Sequence, residues 1–235
     1  MKKKLISRVL KMEQITTSEM KEMYLLFSQY FFSDIELFEK DILNKQWIIL
    51  LEDGSDRSLK GFTTIAYIDV FIDNIDVRIV YSGDTIIHKN YWNTFELSKC
   101  WINTVLAHNQ NIQKPLYWLL LSSGFRTYRF LPTFYKEFFP RYDKVMPKNI
   151  KKLMSEVAYH IYGNYYKPEK GIINFDRNST PLRNGMAKVD SNRLKDPHVA
   201  FFLKNNPGYI LGEELVCITE IKDCNYTKAG ERMLF

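Results

Sequence analysis

Side chains that can move a proton lie near the end of a β-type run at residues 77–87. Asp84, Ile86 and His88 are two positions apart, and alternate side chains of a strand share one face. A carboxylate or an imidazole there can accept a proton from an attacking amine or hydroxyl. Each residue also has a structural interpretation, because Asp84 can satisfy the backbone of a bulge and His88 can be a surface residue at a strand end. Both interpretations stay open.

A helix follows this run, and residues 77–107 are the stretch on which the functional interpretation depends. Apolar residues recur at helical spacing after Thr94, and Asn93 or Thr94 is a suitable N-cap. The first amides of a helix lack backbone partners, and the helix dipole adds positive charge at that end. We therefore predict a phosphate-binding cradle where the strand leads into the helix.

Periodicity predicts the elements that must position this stretch. A strand, two helices and a three-strand antiparallel meander come first, followed by a helix, a strand and a further helix. The last four of these elements imply a parallel strand pair with a right-handed crossover. The predicted strands are residues 4–15, 46–52, 59–71, 77–87 and 116–121, and the predicted helices are 17–32, 35–43, 95–107 and 127–139.

The pattern changes beyond Pro140. We predict helices at 147–162 and from Asp196-Pro197, a short strand at 171–175 and a last strand at 214–221. We interpret residues 1–143 as one core and residues 144–235 as a C-terminal extension packed on it.

Composition limits the classes of function. Three cysteines without metal-type spacing, and no histidine pair at helical i, i+4 spacing, predict no metal site and a reduced, cytoplasmic setting. We expect no transmembrane segment and no secretory signal in residues 1–8, since no run of about 18 apolar residues occurs. A solvated surface accounts for most of the net charge of +6. The alternative is an acidic partner, such as a phosphorylated cofactor or an acidic carrier protein, with nucleic acid the least favoured.

The order of elements over residues 4–142 resembles the GNAT acyltransferase superfamily. The segment His88-Lys-Asn-Tyr91 looks like the strand exit of that family, of the type "v-h-p-x-y". The resemblance implies an α/β (α+β) fold with a mixed, mostly antiparallel central sheet flanked by helices. In the family, the fourth and fifth strands splay apart, the acyl-pantetheine arm lies in the gap, and the pyrophosphate contacts amides at the start of the third helix.

The resemblance also implies an activity and a set of site residues. The activity is transfer of an acyl group from a thioester, carried by acyl-CoA or an acyl carrier protein, to an amine or hydroxyl by direct attack. Tyr135 stands where the family often places an acid that protonates the leaving sulfur, with Asp84 or His88 as the base. Ser122 and Ser123 would contact the substrate. The donor would be held by Thr85, Ile86, Ile87, His88, Lys89, Trp92, Asn93 and Thr94.

The sequence departs from the family at the phosphate loop. The family has glycines spaced R-G-x-G-x-G/A, whereas this chain has Trp92-Asn-Thr-Phe-Glu-Leu97. Bulky residues narrow or shift a cradle that needs close backbone approach. Three outcomes follow: coenzyme A binding by the remaining groups, a longer acyl chain or carrier-protein donor, or a non-catalytic binding module with a blocked donor site. A basic nucleic-acid or toxin-associated protein is a weaker alternative.

Overall fold

The computed structural model describes residues 4–72, 74–183 and 185–234, which form two compact units. The first unit lies within Met1–Tyr67, Val80–Gln113 and Arg232–Phe235. The second unit lies within Ile68–Ile79 and Lys114–Glu231. Each unit has its own buried apolar core.

The first unit is built on antiparallel strands. Strand β1 pairs with β2 so that Arg8 faces Leu50, and β2 pairs with the first part of β3. The short strand β5 also pairs with β3, with Gly61 opposite Ile87. The strands are β1 (Leu5–Lys11), β2 (Trp47–Asp53), β3 (Leu59–Ile72), β4 (Ile75–Ser82) and β5 (Ile86–Ile87), of which β3 and β4 continue into the second unit.

Capping side chains define where two of the helices in this unit begin. Helix α1 (Thr17–Phe27) begins after Thr16, whose hydroxyl accepts from the amide of Glu19 at 3.2 Å while the Glu19 carboxylate accepts from the amide of Thr16 at 2.8 Å. Helix α2 (Ile35–Leu43) begins after Asp34, as the sequence predicted. Helix α3 (Glu96–Asn109) begins after Phe95, without a side-chain cap.

The second unit contains a second set of antiparallel strands. The strand order is β6-β9-β8-β7, with Leu120 of β6 opposite Cys217 of β9. Strand β4 neighbours β6, and the Arg78 amide donates to the Pro115 carbonyl at 2.9 Å. The strands are β6 (Leu116–Ser122), β7 (Tyr166–Lys167), β8 (Ile172–Ile173) and β9 (Glu214–Glu220), and the helices are α4 (Phe125–Tyr128), α5 (Phe130–Phe134), α6 (Lys148–Tyr162), α7 (Pro197–Asn205) and α8 (Lys228–Glu231).

Helices accompany strands that pair mainly in the antiparallel sense, so the fold is mixed α/β, as the sequence predicted. Strand β9, from the predicted extension, pairs along the whole of β6. The division at residue 143, the parallel pair and the splayed strands stay predictions.

Several predicted elements are wrong in detail. Strand β1 ends at Lys11, before the predicted residue 15, and α1 ends at Phe27, before the predicted residue 32. The single helix over 127–139 is replaced by α4, α5 and an extended segment. The amide of Lys136 donates to Asn225 at 2.8 Å, and Phe139 exchanges backbone hydrogen bonds with Ile218 at 2.7 and 2.9 Å. Asn225 and Ile218 are about 80 to 90 residues further along the chain, and the hydrogen bonds to them replace the local bonds of a helix. The continuous run over 77–87 is interrupted between β4 and β5.

Candidate functional site

The interruption of the strand after Ser82 is held open by two threonines of β3. The Thr64 hydroxyl donates to the Gly83 carbonyl at 3.0 Å and accepts from the Gly83 amide at 3.1 Å. The Thr63 and Thr85 hydroxyls are 2.7 Å apart. Asp84 between them has φ of +46°, in the left-handed region. The break therefore replaces the regular alternation predicted for Asp84, Ile86 and His88. The signal for this break in the sequence was the pair of polar residues Thr63 and Thr64 within the buried strand β3.

A cluster of charged side chains lies next to this break in the strand. The Lys45 side chain is only 6% exposed, and its Nζ lies 2.8 Å from each carboxylate oxygen of Asp41. Lys45 also interacts electrostatically with Asp84. Burial alone would raise the pKa of Asp41, but the Lys45 charge holds that pKa below its ordinary value. Asp84 is thus part of a charged network. Asp41 and Lys45 were not among the residues predicted from the sequence for this site, although their i, i+4 spacing is typical of an ion pair.

His88 is a neutral imidazole in a positively charged setting. Its amide donates to the Lys60 carbonyl at 2.8 Å, and its Nδ1 accepts from the Asn90 amide at 3.3 Å. That bond assigns the proton of the neutral ring to Nε2. Burial lowers the pKa of His88, and the charges of Lys60 and Lys89 lower it further. The ammonium groups of Lys60 and Lys89, together with the Nε2–H donor of His88, favour the binding of an anion.

The start of α3 is less suited to a phosphate than the sequence suggested. The N-cap is Phe95, and the prediction of Asn93 or Thr94 is wrong, because a 3-10 turn at Lys89–Tyr91 delays the helix. Thr94 accepts only from the Glu96 amide, at 3.2 Å. Glu96 places a carboxylate in the first helical turn, where it interacts with the dipole that would otherwise attract phosphate.

Phe95 stands at one of the glycine positions of the family's loop, and Trp92 stands at its basic position. The Trp92 indole donates to the Ile87 carbonyl at 2.8 Å, which folds the ring back along β5. Trp92 and Phe95 are nevertheless 45% and 55% exposed. The loop offers apolar ring surface to a ligand, in place of bare backbone.

The remaining predicted residues belong to the second unit. Ser122 is fully buried at the end of β6, with its Oγ 3.8 Å from Cys217 Sγ, and Ser123 is partly exposed. Tyr135 follows α5 and is 4% exposed, with its ring 5.9 Å from that of Trp118 and 5.6 Å from that of Tyr226. Burial raises the pKa of Tyr135 well above its ordinary value. The hydroxyl therefore stays protonated at neutral pH and can act only as a donor or acid.

A polar cleft in the first unit was missed by the sequence reasoning. Its volume is about 210 Å³, and no residue predicted for the site lines it. The lining residues are Arg8, Glu19, Glu22, Leu50, Glu52, Arg57 and Leu59.

No group of three or more histidine, cysteine or acidic side chains in ranges 4–72, 74–183 and 185–234 is arranged to hold a metal ion. Within the same ranges, no helix combines the length and apolar character needed to cross a membrane. Cys100, Cys217 and Cys224 are free thiols.

Comparison with known proteins gives similarity in structure only. No family model matches the sequence, and no curated protein matches it. A GNAT family N-acetyltransferase (YhbS) from Escherichia coli, in complex with CoA, is 13% identical with a TM-score of 0.38; the match covers 52% of this chain and 64% of that one.

Two further solved structures are similar to the chain. A probable N-acyltransferase from Enterococcus faecalis V583 is 14% identical with a TM-score of 0.41, covering 94% of this chain and 67% of that one. NAA60 from Arabidopsis thaliana, in complex with a bisubstrate analogue, is 16% identical with a TM-score of 0.40, covering 60% and 92%. This chain spans less than two thirds of the length of the Escherichia coli GNAT protein.

Proposed function

We propose that the protein transfers an acyl group from a thioester donor to an amine or hydroxyl acceptor by direct attack. The observation that carries the proposal is the break at Gly83–Thr85, after which the chain reaches His88 and Lys89, with Lys60 also beside His88. Thr64 occupies the amide and carbonyl of Gly83, so the thioester would lie against the rest of this break, and the two lysine cations suit a phosphate a short distance along the same ligand.

The charge balance favours a donor with few phosphates. Lys60 and Lys89 supply two positive charges, whereas Glu96 opposes an anion at the start of α3. A single phosphate, as on the phosphopantetheine of a carrier protein, needs fewer cations than coenzyme A does. The exposed rings of Trp92 and Phe95 add apolar area that suits a long acyl chain. Acyl-CoA or acyl-phosphopantetheine is thus the proposed donor class, and a carrier protein is the preferred form.

Each proposed residue has a role in the transfer. The attacking nitrogen or oxygen bonds to the thioester carbonyl carbon and gives its proton to Asp84, the carbon–sulfur bond breaks, and the departing thiolate takes a proton from Tyr135. His88 donates from Nε2 to the phosphate; as the alternative base in place of Asp84, its Nδ1 would first release the Asn90 amide. Ser123, which is partly exposed, is better suited to contact the acceptor than the buried Ser122.

Thermal unfolding with candidate donors tests the proposal. A ligand that binds only the folded state stabilises it, by about 2.7 kcal/mol at a hundred times Kd. We expect octanoyl- or palmitoyl-coenzyme A, or an octanoylated carrier protein, to raise Tm in the wild type. The Lys60→Met, Lys89→Met double variant should lose most of the shift, while Lys21→Met, on the exposed face of α1, should keep it.

A non-catalytic binding module is the competing function. Glu96 in the first turn of α3 and bulky residues at the glycine positions favour it, because both weaken a phosphate site. No shift with any thioester, together with no capture of an acyl carrier protein, would support this alternative and contradict the transferase.

A further inference from the structure

The cleft of about 210 Å³ in the first unit is lined mainly by charged side chains. Arg8 of β1 reaches the same oxygen of Glu52 through Nη2 at 2.9 Å and Nε at 3.2 Å, and it is also paired with Glu19. The second oxygen of Glu19 accepts from the backbone and hydroxyl of Thr16, each at 2.8 Å. Nε and Nη2 of Arg8 and both oxygens of Glu19 are therefore occupied, which orients these two side chains at the cleft.

Glu52 has an unsatisfied carboxylate oxygen. The residue is 5% exposed, and its Oε2 accepts no hydrogen bond from the described part of the chain. Arg57 Nη2 lies 2.7 Å from this oxygen and balances the charge of the Glu52 carboxylate. The N–H groups of Arg57 are not aligned with the oxygen for a hydrogen bond. A buried acceptor without a donor is costly. The side chain of Arg57 is 56% exposed, so it can move aside for a ligand N–H.

The cleft has an excess of negative charge and an apolar surface. Glu22, one helical turn beyond Glu19, is exposed and has no ion-pair partner among residues 4–72, 74–183 and 185–234. Three carboxylates and two guanidinium groups thus line the cleft, which leaves one net negative charge. Leu50 and Leu59 supply hydrocarbon for the rest of a ligand.

We propose that this cleft binds a small organic ammonium ion. The ammonium group donates to Glu52 Oε2 and is attracted by Glu22, and its carbon chain lies against Leu50 and Leu59. An ammonium is favoured over a neutral amine or an anion because it supplies both the missing donor and the missing positive charge. The site uses no residue assigned to acyl transfer, so the two proposals can fail separately.

Titration of the full chain with n-hexylammonium, followed by backbone amide NMR, tests the site without any acyl donor. Hexanol and hexanoate at equal ionic strength are the matched probes. We expect saturable shifts at the amides of Arg8, Glu22 and Arg57 with the ammonium only. Glu22→Gln should raise the Kd by about threefold or more, as loss of a partly exposed ion pair does.

Glu36→Gln, an exposed change in α2, is the matched control and should leave the Kd unchanged. Because Glu22 is exposed, its variant is expected to keep the wild-type spectrum, so a change in affinity reports on binding. Equal shifts with hexanol or hexanoate, no saturation with hexylammonium, or an unchanged Kd in Glu22→Gln would each overturn the proposal and leave the cleft as a structural ion-pair network.

Discussion

Tyr135 and Tyr226 are two buried tyrosines with different expected roles. Their rings are 5.6 Å apart, and burial raises the pKa of both hydroxyls above the ordinary value. Tyr226 is 2% exposed, and its hydroxyl has no hydrogen-bond partner among the described residues. Only Tyr135 is associated with an acid by the resemblance, although the structure places it in extended backbone after α5 and not in a helix. The pair therefore supplies a matched test of the proposed acid.

Tyr135→Phe should lower the rate of acyl transfer by about a hundredfold, because the thiolate leaves without a positioned proton. Donor-induced thermal shifts should persist, since the ring stays in place. Tyr226→Phe should leave turnover unchanged and the free energy of unfolding equal or higher, because it removes an unpaired buried hydroxyl. Thiol release measured at saturating donor distinguishes the two variants. If both lose activity equally, or Tyr135→Phe loses none, Tyr135 is not the acid.

Local patterns predicted most element boundaries, because their causes are local. Asp34 begins α2 through its own side chain, and Asn109 ends α3. The failures have distant causes. Asn225 fixes the segment after α5 by accepting from the Glu137 amide at 2.7 Å and donating to the Glu137 carbonyl at 3.0 Å. A helical pattern over 127–139 contains no information about a partner 88 positions away.

The contact between the end of α2 and the strand break carries a prediction about stability. Lys45→Met removes the cation that neutralises Asp41 and Asp84. Breaking a fully buried pair costs about 3–5 kcal/mol; the Asp41 side chain is 52% exposed, so we expect about 1–3 kcal/mol at neutral pH. Urea unfolding measures the difference. Lys40→Met, an exposed change in the last turn of α2, should cost less than about 0.5 kcal/mol.

The same contact has a defined pH dependence. The pKa of Asp41 is lowered in the folded protein, so its stabilising effect is present above the ordinary aspartate pKa of about 4 and is lost as the pH falls further. The pKa of Lys45 is raised, so its effect is lost only in strong alkali. The gap between wild type and Lys45→Met should therefore narrow below about pH 4. A gap that is constant from neutral to acid pH would show that the ion pair does not stabilise the break.

For the molecule as a whole, the sequence indicated one candidate functional stretch and gave no sign of the cleft. Residues 83–95 are contiguous, so their chemistry was visible in order. The cleft is assembled from β1, α1, β2 and the turn before β3, and its charges look like ordinary surface residues until the strands pair. Pairing of Arg8 with Leu50 in register is what brings Arg8 to Glu52. Sites of this kind depend on register, which composition and spacing do not specify.

The net charge of +6 leads to a prediction about the donor. Long-range attraction to an acidic carrier protein is screened by salt, with a Debye length of about 10 Å at 0.1 M. If the donor is a carrier protein, its kcat/KM should fall about tenfold between roughly 50 and 300 mM salt, because electrostatic steering is lost. An acyl-pantetheine without phosphate, tested as the control donor, should show a flat profile, since it has no charge to steer. A flat profile with the carrier protein as well would exclude steering by the basic surface and favour a small-molecule thioester.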